Sequence, residues 1–220
     1  MSRNHTDKFR FALEAAVSSF GIAELTEEQN ARLVRHYSML SKWNQRLNLT
    51  RIIDPNDAAK LHYAESLFGA SFICGAQTLL DIGSGAGFPA IPLAVARPDV
   101  QVTALEANQK KSVFLKETKD ELGLTNLKVV TARLDEFEWA VYELLTSRAL
   151  DKAESTLPLI IDELSANQRL MLYCGPDLLG TLEGEVKYKI ETHPIPQTEA
   201  RLIAILSRQE TADRTDQADR

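Results

Sequence analysis

The stretch Leu79–Ala94, LLDIGSGAGFPAIPLA, decides how the chain is read. An apolar run ends on Asp81, meets Gly83, Gly85 and Gly87 at alternate positions, and leads into a segment with helical character. Glycines so spaced after a strand allow a tight turn and let the backbone pass close to a ligand. Dinucleotides take GxGxxG, with the pyrophosphate resting on the following helix N-terminus. Here the spacing is GxGxG; the bulky Phe88 would crowd a pyrophosphate, and Asp81 would repel phosphate. A cofactor with a sulfonium and an amino group gains instead from a nearby carboxylate in a partly dry cleft. The turn therefore favours S-adenosylmethionine over a nicotinamide dinucleotide. Pro89 suits the first position of the next helix.

Strand and helix alternate from this turn onward. Strands are expected at TLLDIG, VQVTALE, LKVVTA, YELLTS and RLMLYC, with helices at AIPLAVA, KKSVFLKETKDELG and TLPLIIDELS. That alternation implies an α/β fold with a mostly parallel sheet covered on both faces. EVKYKIETHPI and EARLIAILSR follow without an intervening helix and read as an antiparallel pair at the sheet edge, giving seven strands. Three helices precede the turn. FRFALEAAVSSF places Phe9, Leu13, Ala16 and Phe20 on one face and stops at Gly21; Thr26 and Gln29 offer a capping box for a helix from Glu27 to Leu47; Asp54 caps a third with Pro55 at its first position. The expected organisation is a helical extension over 1–72, a Rossmann-like core over 73–208, and a polar, disordered tail over 209–220.

Two further strand ends support an adenosine ligand. Glu106, at the end of the second strand, can accept hydrogen bonds from both ribose hydroxyls, in either cofactor class. Leu134 and Asp135, after the third, can flank an adenine by apolar contact and by a polar edge.

Composition bounds the function. The 220 residues are 44% hydrophobic and 25% charged, enough for a full core. No apolar run approaches a bilayer span, and Asp7 and Glu14 interrupt any leader-like pattern, so a cytoplasmic protein without membrane attachment is expected. Cys74 and Cys174 stand far apart and read as small buried apolar residues; no metal motif is present. The net charge of −6 argues against wholesale nucleic-acid binding, yet its sign is uneven. Residues 1–60 hold nine Lys/Arg against seven Asp/Glu, and Arg32 to Arg51 contains Arg32, Arg35, Lys42, Arg46 and Arg51 with no carboxylate. Projected at 100° per residue, Arg32, Arg35, Lys42 and Arg46 cluster opposite Leu33, Tyr37, Leu40 and Leu47. Trp43 and Met39 lie at the boundary, where Trp43 reads as core rather than a base-stacking platform. Such a strip is either a solvated face or a docking surface for RNA phosphates.

MLSKWNQRLNLT, DIGSGAGFPAIPLA and SRAL, in that order, closely resemble the bacterial RsmG (GidB) family over about residues 25–205. The resemblance implies methylation of N7 of one guanosine in small-subunit (16S) ribosomal RNA. It implies S-adenosylmethionine contacts from Gly83, Phe88, Leu134, Asp135 and Arg148, with Glu106 at the ribose. It also turns the cationic strip toward RNA and adds His62, in LHYAES, as a candidate there; the family shows His-x-x-Asp-Ser where this chain has Glu65. Two departures lie elsewhere: Tyr173-Cys174-Gly175 replaces a Lys-Gly stretch, and Ala200-Arg201 replaces Arg-His. Guanine N7 carries an in-plane lone pair and no proton, so its methylation needs alignment and water exclusion rather than a base. Arg148 is the charged residue expected where cofactor and acceptor meet, able to hold a carboxylate, a phosphate or a base edge. Two other readings stand beside this one: a methyltransferase for a small acceptor, and a non-catalytic RNA-binding assembly factor that keeps a cofactor pocket.

Overall fold

Residues 3–148, 153–182 and 188–208 are described by a computed structural model. In chain order the strands are β1 (Thr78–Ile82), β2 (Gln101–Leu105), β3 (Leu127–Val130), β4 (Leu144–Ser147), β5 (Arg169–Cys174), β6 (Tyr188–Pro194) and β7 (Leu202–Arg208). They form one sheet in the order β3-β2-β1-β4-β5-β7-β6. β1 to β5 run parallel, and β7 enters antiparallel between β5 and the edge strand β6. The central strands are buried on both faces: Leu79, Leu80, Leu144 and Leu145 are all excluded from solvent, the pattern of a parallel sheet clothed by helices. β1 has β2 on one side and β4 on the other, so connections leave it in both directions. Such a reversal opens a crevice at the carboxyl ends of the strands.

The helices are α1 (Arg3–Ser19), α2 (Glu27–Leu47), α3 (Pro55–Ala58), α4 (Glu65–Phe68), α5 (Ala90–Ala96), α6 (Gln109–Leu122), α7 (Ala153–Glu163) and α8 (Pro176–Leu182). The Thr26–Gln29 capping box forms in both directions, and Asn48 in the left-handed region closes α2. Asp54 caps α3, with Pro55 at its start. The third predicted helix is interrupted: Ala59–Ala64 is a π-helical turn that carries His62, a local widening often found at functional sites. Asn108 caps α6, its side chain accepting from Lys110 and Lys111. α8 has no counterpart in the sequence reading, because Gly180 lowers the helical signal of this short segment.

One core lies on each face of the sheet. Phe9, Leu13, Leu33, Tyr37, Tyr63, Ile91 and Phe114 belong to a single cluster, so the N-terminal helices share apolar packing with α5 and α6. Leu80, Leu145, Ile160 and Leu172 pack with α7 on the other side. Cys174 is buried as expected, but Cys74 is exposed, because it falls in the turn before β1 with its thiol on the Ser71 carbonyl at 3.4 Å. The tail expected over 209–220, and Ala149-Leu150 of the SRAL motif, lie outside the described residues.

Candidate functional site

The glycine turn leaves β1 at the crevice. Gly83, Gly85 and Gly87 all have positive φ (+74°, +56° and +89°), which L side chains rarely adopt. Their surroundings differ. A Cβ on Gly83 would meet nothing within 4 Å, and one on Gly85 only the Gly83 carbonyl at 3.8 Å. A Cβ on Gly87 would strike Ile91 at 2.4 Å. Gly83 and Gly85 thus face open space, while Gly87 lets the turn seat on α5.

Three anchors hold this turn. The Leu105 carbonyl accepts from Gly83 and Ser84 at 2.9 and 3.1 Å. Glu106 accepts from the Gly85 amide at 2.8 Å and, through its other oxygen, from Asn108 at 2.7 Å. His36 of α2 bonds the Ala86 carbonyl at 3.1 Å. Nε2 of His36 must be the donor there, leaving Nδ1 to accept from the Tyr63 hydroxyl at 3.0 Å. Burial holds this imidazole neutral, its pKa pushed down to about 3. His36 drew no attention in the sequence; its signal was a polar residue on the apolar arc between Leu33 and Tyr37.

Asp81 lies under the turn, fully buried, with Oδ2 accepting from the Ala90 amide at the start of α5 at 3.3 Å and Oδ1 without a hydrogen-bond partner. Burial raises its pKa to about 7. Leu134 and Asp135 sit on a 3-10 turn after β3, Leu134 half-buried and Asp135 exposed and bidentate to Arg133 at 3.0 and 3.1 Å. A cavity of about 270 Å³ opens beside them, lined also by Phe137, Trp139 and Leu159. Because β1 to β4 are parallel, these residues, Glu106, the glycine turn and Arg148 all stand along one carboxyl edge.

Arg148 follows β4. Its guanidinium donates to the Leu61 carbonyl at 2.8 Å and to His62 Nδ1 at 2.6 Å, and lies 5.3 Å from the Phe88 ring centroid. His62 stacks on Phe88 with centroids 4.7 Å apart, and its Nε2 bonds Thr50 Oγ1 at 2.8 Å. With Arg148 donating to Nδ1, His62 is neutral; burial first, and Arg148 next, push its pKa down to about 3. Glu65 lies wholly buried between two cations, 3.1 Å from Arg201 and 3.8 Å from Arg148. Desolvation raises the Glu65 pKa against the pull of both arginines, and burial lowers that of Arg148 to about 10.

One expectation changes here. His62 was placed with the RNA contacts but is only 5% exposed, because Phe88, Thr50 and Arg148 enclose it. Its position makes it a support for Arg148. Phe88, expected against the cofactor, is 6% exposed and packs beneath His62 and Arg148, with Tyr63 edge-on at 5.0 Å. The cations of α2 also divide. Arg32 pairs with Glu28 at 2.8 Å and Arg35 with Glu121, whereas Lys42, Arg46 and Arg51 are exposed and have no ion-pair partner among the described residues. Leu47, placed on the apolar face, is only half-buried near the helix end. Trp43 packs edge-on against Phe114 at 5.8 Å, as core. Among the described residues, no group of His, Cys, Asp or Glu is arranged to hold a metal, and no helix is long and apolar enough to cross a membrane.

Sheet order, the open glycine cradle and the acidic end of β2 define the class: a Rossmann-like fold of the S-adenosylmethionine-dependent methyltransferase type. Solved structures agree on the fold. The chain superposes on the S-adenosylhomocysteine-bound methyltransferase PaMTH1 of Podospora anserina with a TM-score of 0.61 at 12% identity, covering 96% of this chain and 97% of that one. An O-methyltransferase from Bacillus cereus gives 0.59 at 13% identity, covering 90% and 97%. The family model described as rRNA small subunit methyltransferase G matches residues 29–194, and the chain belongs to that family. The ribosomal RNA small subunit methyltransferase G of Neisseria meningitidis serogroup C (strain 053442) is 42% identical over 137 residues, covering 62% of this chain and 66% of that protein, just short of two thirds. The counterpart in Methylobacillus flagellatus is 40% identical over 141 residues, covering 64% and 68%.

Proposed function

We propose that this protein transfers a methyl group from S-adenosylmethionine to N7 of a guanosine in small-subunit (16S) ribosomal RNA, in the cytoplasm. Family membership points to the reaction, and one observation ties it to this site. Gly83 and Gly85 turn their missing side chains to open space at the sheet's switch point, beside a buried carboxylate with a free oxygen. That cradle fits a compact cationic donor and offers a second phosphate nothing to hold it.

When bound, S-adenosylmethionine supplies an electrophilic methyl group. The residues of the chain then have three tasks. Gly83, Gly85 and Gly87 shape the loop, and Glu106 sits where ribose hydroxyls would meet a carboxylate. Leu134 and Asp135 border the adenine side. Arg148 is held by Leu61, His62 and Glu65 at the end of β4, so its planar fork is oriented before substrate arrives. No base is assigned, because N7 brings no proton to remove; buried neutral His62 and solvent-shielded Asp81 are consistent with an alignment mechanism. Lys42, Arg46 and Arg51 would meet RNA phosphates. We read 1–72 as the RNA-docking extension and 73–208 as the methyltransferase core.

The test is to incubate the protein with methyl-labelled cofactor and small ribosomal subunits, or naked 16S rRNA, and map the label. A single N7-methylguanosine, found by chemical cleavage at that base, is the expected result. Cofactor and RNA both bound with no label after long incubation would favour the non-catalytic assembly factor. Turnover on small acceptors, indifferent to RNA, would favour the small-molecule enzyme.

A further inference from the structure

A second cavity, of about 570 Å³, opens on the helical extension away from the glycine turn. Its lining comes from the start of α1 (His5), the last turns of α2 (Ser41, Lys42, Asn44, Gln45) and the chain beyond (Asn48, Ile53). Among the described residues no carboxylate lines it, in a protein whose net charge is −6. Its volume lies in the range of small-ligand sites. Lys42, Gln45 and Asn48 use their side chains in no hydrogen bond or ion pair among the described residues. Ile53 is 49% exposed, a large apolar side chain left open beside a cluster of amides.

The walls are braced. Tyr37 donates its hydroxyl to the Ile53 carbonyl at 2.8 Å and meets His5 Nε2 at 2.9 Å. Asn44 fixes Thr50 twice, accepting from its amide at 2.8 Å and donating to its carbonyl at 2.9 Å. Thr50 in turn bonds His62, and His62 bonds Arg148. The pocket wall therefore lies three residues from the guanidinium at the catalytic crevice. The braced backbone keeps the wall in place, so the ordering cost of binding falls on the free side chains of Lys42, Gln45 and Asn48.

We infer that this pocket receives one nucleotide of the RNA strand that carries the acceptor guanosine, an inference that rests on the function proposed above. Lys42 would meet the phosphate, with Arg46 and Arg51 on the same helix end and loop extending the positive track. Gln45 and Asn48 each offer a paired donor and acceptor, the pattern that reads a base edge or a 2′-hydroxyl in an unpaired strand. Ile53 supplies an apolar surface for the base. An acidic peptide could meet the same charge and amides through its own backbone, so the occupants are separated by the crosslinks below, and the RNA strand is favoured by the function proposed above.

The experiment uses the full chain and a 16S rRNA fragment substituted with 4-thiouridine. Photocrosslinks are expected at residues 41–53, and the variant Lys42→Ala/Gln45→Ala/Asn48→Gly is expected to bind RNA about tenfold more weakly. Cofactor affinity by calorimetry should stay within about twofold, since no contact to the glycine turn is altered. Asn48→Gly keeps the left-handed helix end, so the fold is spared. If the triple variant does not fold, Lys42→Ala alone is expected to cost about threefold in RNA affinity. Wild-type binding and methylation of rRNA, with crosslinks wholly outside 41–53 or unchanged affinity in the variants, would overturn the pocket and spare the proposed function. Crosslinking of this surface to a ribosomal protein in intact subunits, without RNA adducts, would overturn it too. A wild-type protein that binds no rRNA would overturn both.

Discussion

Gly85 and Gly87 stand two residues apart with the same φ sign, yet their substitutions should separate cleanly. On the proposed reading Gly85→Val fills the space meant for the donor, so cofactor affinity by calorimetry is expected to fall by about a hundredfold or more, while its φ of +56° adds a strain cost of about 1–2 kcal/mol that leaves unfolding cooperative. Unchanged affinity would remove the cradle from the turn. Gly87→Ala meets Ile91 and strains a φ of +89°, and is expected to cost roughly 2–4 kcal/mol in urea unfolding. The alternating pattern was plain in the sequence, but not which glycine faces open space. That depends on where α5 and Leu115 come to rest.

The long helix α2 carries different duties on its two sides. Inward, His36 reaches the Ala86 carbonyl and ties the extension to the glycine turn. Outward, only the C-terminal part of the cationic strip is available, since Arg32 and Arg35 are engaged with Glu28 and Glu121. Arg46→Glu is therefore expected to weaken rRNA binding by about tenfold and to flatten its salt dependence, with cofactor affinity level. Arg32→Ala should change RNA affinity by less than about twofold, because Arg32 is half-buried and its charge is already offset by Glu28 at 2.8 Å. Equal losses at both positions, measured by fluorescence anisotropy across salt, would refute this division. Helical periodicity alone put all four cations on one strip. It held no information on Glu121, which is 86 residues from Arg35 in sequence.

Across the whole molecule, buried ionisable groups make stability depend on pH. The folded state keeps His36 and His62 neutral down to about pH 3, while the unfolded chain protonates them below about 6.5. Their contribution is complete above pH 6.5 and is lost as pH falls toward 3. Asp81 acts in the opposite sense: with its pKa raised to about 7, the cost of its burial appears as pH rises from about 4 through 7. The net profile mixes these terms, so the informative quantity is a difference. His36→Gln removes one proton uptake from the unfolded state. Its urea-derived stability should therefore rise with pH less steeply than the wild type between about 4.5 and 6, by up to about 1.4 kcal/mol per pH unit. Parallel profiles would show that His36 titrates freely in the folded protein.

The sequence by itself determined the alternation of strands and helices, the antiparallel edge, the caps at Thr26 and Asp54, and the glycine turn that leaves β1. These are local patterns, written in periodicity and in residue types that few backbone conformations accept. Only the tertiary structure decided that His62 and Phe88 are buried supports of Arg148, that Glu65 lies between Arg148 and Arg201, and that Arg35 is held by Glu121. It also brought Asn44, Thr50 and His62 into one hydrogen-bonded line. Solvent exclusion and pairing depend on elements distant along the chain, and burial changes what a charged or aromatic side chain is free to do.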